Sequence, residues 1–419
     1  MTSTSDRSPT SADGVIGQLY RAEWGRLVAL LVSRSRRLDL AEDAVSEAFA
    51  HASSRWPADG VPANPVGWLY TTAHRHVLGR VRTEQVAGRR APLLAVRPEW
   101  VAPDEADDAL PDERLHLILL CCHPALPRDS RSALALRLVI GTSTAEIARL
   151  FLVPVPTMAA RLTRAKKKIV AAGIPLGAPV ADELVGRLDE VCRTIYLAFT
   201  AGYTPGDGPQ LLRSDLADDA VQLASVLHAV VPGAPQGRAL LALLLLQHAR
   251  RNTRERDGRL VTLADQDRSS WNADEIDRGL ALLDALPPSD GYAEDLRLQA
   301  LIAAEHARAP TSSATDWAVV ADLYAALERR TGSPVVRLNR AVAVAEADGP
   351  LAGLAVLDGL EDVLGHHHRL AAVRSELAHR SGDTELARTS YRRAIGQCQN
   401  DVERAYLIGR LALLDQPGT

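Results

Sequence analysis

Residues Ser143–Val170 read STAEIARLFLVPVPTMAARLTRAKKKIV. Ser143 and Glu146 have the spacing of a capping box, in which the hydroxyl serves one orphan amide and the carboxylate reaches back to another. They open a short helix containing Ile147, Ala148 and Leu150. Leu152-Val153-Pro154-Val155 breaks it, and Pro156 suits the first turn of a new helix, where a missing N–H costs nothing. In that helix Met158, Leu162, Ala165 and Ile169 recur at helical spacing and predict one apolar face. The remaining surface presents Thr157, Arg161, Arg164 and Lys168, with Ala160, Lys166 and Lys167 also expected to meet DNA. The segment Thr157–Lys168 holds five cations and no acid. Such a pair of helices is a helix-turn-helix whose second helix can enter a major groove and neutralise phosphates. A solvated basic helix in a bundle is the plainer alternative. A capped helix, a short break and a cationic helix in succession favour DNA.

The rest of the chain makes this basicity local. Net charge is −4 over 419 residues, so the molecule as a whole is no indiscriminate polyanion binder. All the lysines lie together at Lys166–Lys168. Three Phe and eight Tyr in a chain rich in Ala and Leu favour helix over strand. The length predicts two to four domains. The tail Met1–Asp13 is no secretory signal, and the longest apolar run, Ala239–Leu246, is too short for a bilayer. Four cysteines form no disulfide framework, which points to a reducing cytoplasm and no membrane. Cys121-Cys122-His123 lacks a second ligand pair at zinc spacing, and His366-His367-His368 follows Gly365 in a loop-like stretch. Neither is taken as a metal site, and no cofactor is expected.

Upstream, no Asp or Glu occurs between Asp59 and Glu84. Asn64-Pro65 begins a helix with Val66, Leu69, Ala73, Val77 and Val81 inward and Trp68, Thr72, Arg75, Gly79 and Arg82 outward. His74, His76 and Arg80 add to its basic character. An aromatic and arginines on one exposed face suit melting DNA, where bases stack and phosphates need cations. A lone Trp68 would more often cover a core edge; the lack of acids shifts the balance. Before it, Leu40, Ala44, Val45, Ala48 and Phe49 form an apolar stripe opposite Glu42, Asp43, Ser46 and Glu47. Most acidic faces are merely solvated, yet beside a DNA-facing helix a partner-protein surface becomes plausible.

These segments resemble the extracytoplasmic-function group of the sigma-70 family. Asp39–Phe49 looks like that family's region 2 polymerase-binding helix, and the resemblance assigns core contacts to Asp39, Glu42, Asp43, Ser46 and Glu47. Asn64–Tyr70 and the basic helix after it look like the −10 segment, with Trp68, Tyr70, Thr72, Arg75, Arg80 and Arg82 on DNA. The helix-turn-helix resembles region 4, which reads the −35 element. Resemblance also implies two partners besides promoter DNA: the clamp of the polymerase beta-prime subunit and the flap of the beta subunit. Family members often carry a basic residue where Ala159 stands and a small polar one at Ala160, so the −35 sequence does not carry over; thymine methyl contact remains. Cys121–Leu126, Tyr196–Tyr203 and Asp265–Arg268 resemble a subgroup with a long C-terminal extension ending in tetratricopeptide-like repeats.

An all-α chain is therefore expected, with a disordered N-terminus over 1–14, region 2 over 15–85 and a flexible acidic linker over 86–111. Region 4 follows over 112–172, then a helical extension domain over 183–288 and tetratricopeptide-like repeats over 289–416. The linker carries Pro98, Pro103, Asp104, Glu105, Asp107, Asp108 and Pro111; Gly173-Ile174-Pro175 and Gly177-Ala178-Pro179 punctuate the chain after region 4. Leu351-Ala352, Val356 and Leu360 match Leu386-Ala387, Tyr391 and Ile395 at an offset of 35, as Val342-Ala343 matches Leu377-Ala378. A groove between such pairs would take a peptide or protein ligand. Asn272 and Glu275 predict a reciprocal cap. Two rivals stand beside the sigma reading. A helix-turn-helix regulator with a repeat-built sensor explains the second unit but not the acidic helix followed by the basic Trp68 helix. An enzyme using His248, Asp265 and Asp267 lacks any accompanying phosphate loop, nucleophile elbow or metal pair.

Overall fold

The computed structural model describes residues 12–35, 37–88, 113–151, 153–171, 186–203 and 214–414. The acidic stretch from Pro98 to Pro111 and the Gly173–Pro179 punctuation lie outside these residues. The described chain is all-α apart from one antiparallel hairpin, β1 (Glu255–Arg256) with β2 (Arg259–Leu260). Asp257 and Gly258 both take positive φ there, as a two-residue turn matching strand twist requires. No described helix is long and apolar enough to cross a membrane.

The chain divides into two compact units, Met1–Ala198 and Phe199–Thr419. In the first, α1 (Ala12–Ser35), α2 (Leu38–Asp59) and α3 (Pro65–Gly88) pack together, followed by α4 (Glu113–Cys121), α5 (Arg128–Leu138), α6 (Thr144–Leu150) and α7 (Val155–Ala171). Asn64 accepts the Gly67 amide at 2.8 Å and so starts α3. Leu69, Ala73 and Val77 are buried as the spacing predicts, while Val66 and Val81 are only half-buried.

The packed set of α4–α7 also takes in residues further along the chain. Leu188–Ala198 of α8 (Leu188–Tyr203) belong to the first unit. Thr194 donates to the Ser132 hydroxyl at 3.2 Å and lies 3.8 Å from the Cys122 sulfur. Arg128 pairs with Glu190 at 2.9 Å. The division between units falls inside α8. Cys121-Cys122-His123 is absorbed in this core: burial pushes the Cys122 thiol up to about 12, and His123 Nδ1 accepts the Ala125 amide at 3.1 Å.

In the second unit α9 (Ser214–Val230) and α10 (Pro235–His248) lead into α11 (Ala273–Asp284) and α12 (Gly291–Arg308). Residues 239–246 of α10 are buried on every face, because α9, α11 and α12 surround them. Asn272 caps α11 by accepting the Glu275 amide at 3.0 Å. The expected return bond is replaced: the Glu275 carboxylate turns to His248, at 3.0 Å, and Arg251, at 2.8 Å. His248 thereby lies against the Glu275–Arg251 ion pair. Asp267 caps a short turn through Ser269 and Ser270.

Stacked helices complete the chain: α13 (Trp317–Thr331), α14 (Pro334–Asp348), α15 (Pro350–Val356), α16 (Glu361–Leu364), α17 (His368–Arg380), α18 (Thr384–Gln397) and α19 (Asp401–Leu414). Ala343 and Ala378, matched at the 35-residue offset, are both buried. Their partner helices differ. Where α18 is continuous, the corresponding stretch is split into α15 and α16 around Gly359 at positive φ.

Candidate nucleic-acid interface

The capping box of α6 is complete: the Ser143 hydroxyl accepts the Glu146 amide at 3.2 Å, and Glu146 accepts the Ser143 amide at 2.8 Å. Helix α7 starts at Val155, one residue before Pro156. Met158, Leu162, Ala165 and Ile169 are buried. Thr157, Ala159, Ala160, Arg164, Lys167 and Lys168 are exposed, and Arg161 is half-buried. The amphipathic reading of α7 therefore translates into a cationic surface of the kind that neutralises phosphates.

Lys166 departs from that surface. Its ammonium pairs with Glu42 of α2, whose other oxygen accepts from Arg137 of α5 at 2.8 Å. Glu42 is 6% exposed. The sequence pattern predicts a solvated, polymerase-facing position for it; the fold instead turns it inward, where two cations balance its desolvation. The helical wheel of α2 alone could not show this, because the facing cations lie 95 and 124 positions away in the chain.

Arg137 organises the surrounding contact. Its guanidinium stacks over the Trp24 ring at 5.5 Å and donates to the Thr142 carbonyl at 3.3 Å, while its own carbonyl accepts from the Trp24 indole at 3.3 Å. Two glycines permit the approach. A Cβ on Gly25 would meet the Val139 carbonyl at 1.7 Å, and one on Gly141, at φ +75°, would meet Trp24 at 2.8 Å. Sequence reasoning missed Trp24, Gly25 and Arg137; each looks like ordinary helix content until the two helical sets are brought together.

What remains exposed on the acidic face of α2 is Asp43, Ser46 and Glu47. Glu47 lies 3.4 Å from His51. Asp39 is half-buried and held by Arg37 at 2.7 Å, a contact that keeps its carboxyl below the usual range. Arg37 also reaches Glu84 of α3 at 2.8 Å.

On α3, Arg75, Arg80 and Arg82 are exposed, and Thr72 is half-buried. Trp68 is half-buried, edge-on to the buried Trp56 with ring centroids 5.4 Å apart. It thus has one edge on the core and part of its surface open. Tyr70 stacks with His74, with Arg34 over its ring at 5.7 Å.

Residues 116–169, from α4 to the end of the cationic helix, match sigma-70 region 4. This segment supports a sigma-like DNA-binding role for the chain, and a region 4 of this kind implies interaction with RNA polymerase core and promoter DNA. Residues 187–286 match a family of unknown function, DUF6596. The chain is 40% identical over 384 residues to an uncharacterized protein of Rhizobium meliloti (strain 1021), covering 89% of each, and belongs to the same family as that protein. No solved structure matches it.

Proposed function

We propose that this chain is an extracytoplasmic-function type sigma factor that directs core polymerase to promoters from the cytoplasm. The observation that carries the reading is the coincidence of the region 4 match with a capped helix, a break and an exposed cationic helix. In this reading α7 meets −35 DNA through Thr157, Ala160, Arg161 and Arg164, with Lys167 and Lys168 on phosphates. Trp68, Tyr70, Thr72, Arg75, Arg80 and Arg82 of α3 meet the −10 element. Asp43, Ser46 and Glu47 of α2 meet the beta-prime clamp, with Asp39 at the edge of that patch, and the region 4 unit meets the beta flap.

Glu42 and Lys166 take a different part. Their ion pair joins the helix that faces polymerase to the helix that faces DNA. A rigid unit with that pair closed cannot lay α3 and α7 on promoter elements about 25 base pairs, or roughly 85 Å, apart, so the contact opens on promoter engagement. The C-terminal extension, with its tetratricopeptide-like helix pairs, sets the activity of the sigma domains and offers a groove to a peptide or protein.

Sequencing the transcripts made on genomic DNA by purified core polymerase with and without this protein tests the assignment. A set of start sites dependent on the protein is expected. Repression or activation seen only when another sigma factor is present would instead favour a helix-turn-helix regulator.

A further inference from the structure

His368, Cys398 and Glu403, separated by up to 35 residues, converge where α17, α18 and α19 meet. His368 is the first residue of α17, behind His367 as N-cap. Cys398 is the C-cap of α18. The Asn400 side chain accepts the amides of Val402 at 3.1 Å and Glu403 at 3.0 Å, which fixes Glu403 in the first turn of α19. Three different helix ends therefore each deliver one donor. The imidazole nitrogen, the sulfur and a carboxylate oxygen all lie within 4.8 Å of one another.

The burial is graded. Cys398 packs with Ala371, Tyr391, Ala394 and Leu407, so its sulfur approaches from the core. His368 and Glu403 are half-buried and approach from the solvent side.

We propose that His368, Cys398 and Glu403 are a three-ligand site for a borderline-soft divalent cation, best represented by zinc. Imidazole, thiolate and carboxylate are the three side-chain donors zinc takes, and three protein ligands leave a fourth position for water. Tetrahedral zinc holds its ligand atoms about 3.4–3.6 Å apart, given metal–ligand distances of about 2.0–2.3 Å. The His368–Glu403 contact of 2.9 Å opens by about half an ångström to meet this, and the sulfur closes in.

Two further contacts reach these donors. Arg369 lies 3.4 Å from the second Glu403 oxygen. The Cys398 thiol donates to the Asn400 carbonyl at 3.4 Å. On binding of a dication the sulfur–hydrogen bond breaks, the proton leaves to solvent and the sulfur–metal bond forms. The result is a staple across the last three long helices. The histidine run appears in the sequence as an unaccompanied loop feature; its partners lie 30 or more residues downstream, beyond any local ligand spacing.

The test uses the full chain, stripped with chelator and titrated with zinc, then with cobalt. One equivalent should bind with a rise in thermal midpoint and release of the thiol proton, and cobalt should give thiolate charge-transfer absorption. Cys398→Ser and His368→Gln should each remove the absorption and the thermal shift. Glu403→Gln, isosteric and able to keep the fold, should weaken binding at least tenfold. Arg369→Gln should tighten it, since a cation no longer opposes the metal. No binding, or binding that survives Cys398→Ser and His368→Gln in folded protein, overturns the proposal and leaves an ion pair beside a core thiol. Loosened binding in Arg369→Gln would also count against it.

Discussion

At the scale of single residues, neighbouring acids on one helix have opposite roles. Asp43 and Glu47 face solvent, whereas Glu42 is buried between Arg137 and Lys166. Removing the Glu42 charge leaves a half-buried Arg137 without its counter-ion. Glu42→Gln should therefore cost about 1–3 kcal/mol of stability, measurable by denaturant unfolding. Asp43→Lys and Glu47→Lys should each stay within about 0.5 kcal/mol yet weaken binding to core polymerase in a pull-down titration; unchanged core affinity would remove the clamp assignment. Trp68 has the same two-sided character. Its packing on Trp56 makes Trp68→Ala mildly destabilising, but the open part of the ring gives a distinct signature. Base stacking contributes about 1–3 kcal/mol only once bases are exposed. The drop in affinity for a pre-melted template should exceed the drop for duplex, and equal drops would make Trp68 a core residue alone. The apolar positions of α7 were legible because their partners follow helical spacing. Glu42 and His368 were not, because what they touch lies far away in the chain.

At the scale of elements, periodicity succeeded where each helix buries one continuous stripe. The capping box of α6, the burial of Met158 and Ile169, and the start of α3 at Asn64 all follow from local chemistry. Local patterns failed where tertiary contacts redirect a side chain. Glu275 has a capping partner in reach but turns to His248 and Arg251, because a guanidinium and an imidazole on an adjoining segment offer more than one backbone amide. The matched repeat likewise hid a break, since Gly359 stops one partner helix that an offset of 35 would make continuous. The exposed cations of α7 lead to a quantitative expectation. Removing one cation–phosphate pairing should flatten the plot of log affinity against log salt by about 0.9. Lys167→Gln and Lys168→Gln should show this with little change in promoter preference. Lys166→Gln should flatten it as well, because the Glu42 contact opens on promoter engagement and frees that ammonium for a phosphate. A shift in which promoters are chosen, produced by any of the three, would mean that α7 meets the bases through a different face.

At the scale of the whole molecule, the all-α class and the region 4 helix-turn-helix were legible, while the packing of α8 against that segment was not. Thr194 and Glu190 complete the core around Cys122 and Arg128 from a stretch that reads as the beginning of the extension. A chain cut after Ala172 would expose that core, so a truncation meant to isolate the sigma half should keep α8 through Tyr203. On the proposed reading, such a chain and the full-length protein differ in transcription from the same promoter, and amide exchange in α2 and α7 differs with them. Equal activity and equal protection would show the extension to be uncoupled. The central claim is that this chain confers promoter opening on core polymerase, which duplex binding by a helix-turn-helix alone does not do. Permanganate reactivity of thymines around the −10 position measures it directly, with core polymerase, the full-length protein and a promoter found by transcript sequencing as the only macromolecules. The account predicts reactive thymines with core and protein together and none with either alone. Protection of duplex DNA by the protein without any reactive thymine, in the presence of active core polymerase, would contradict it.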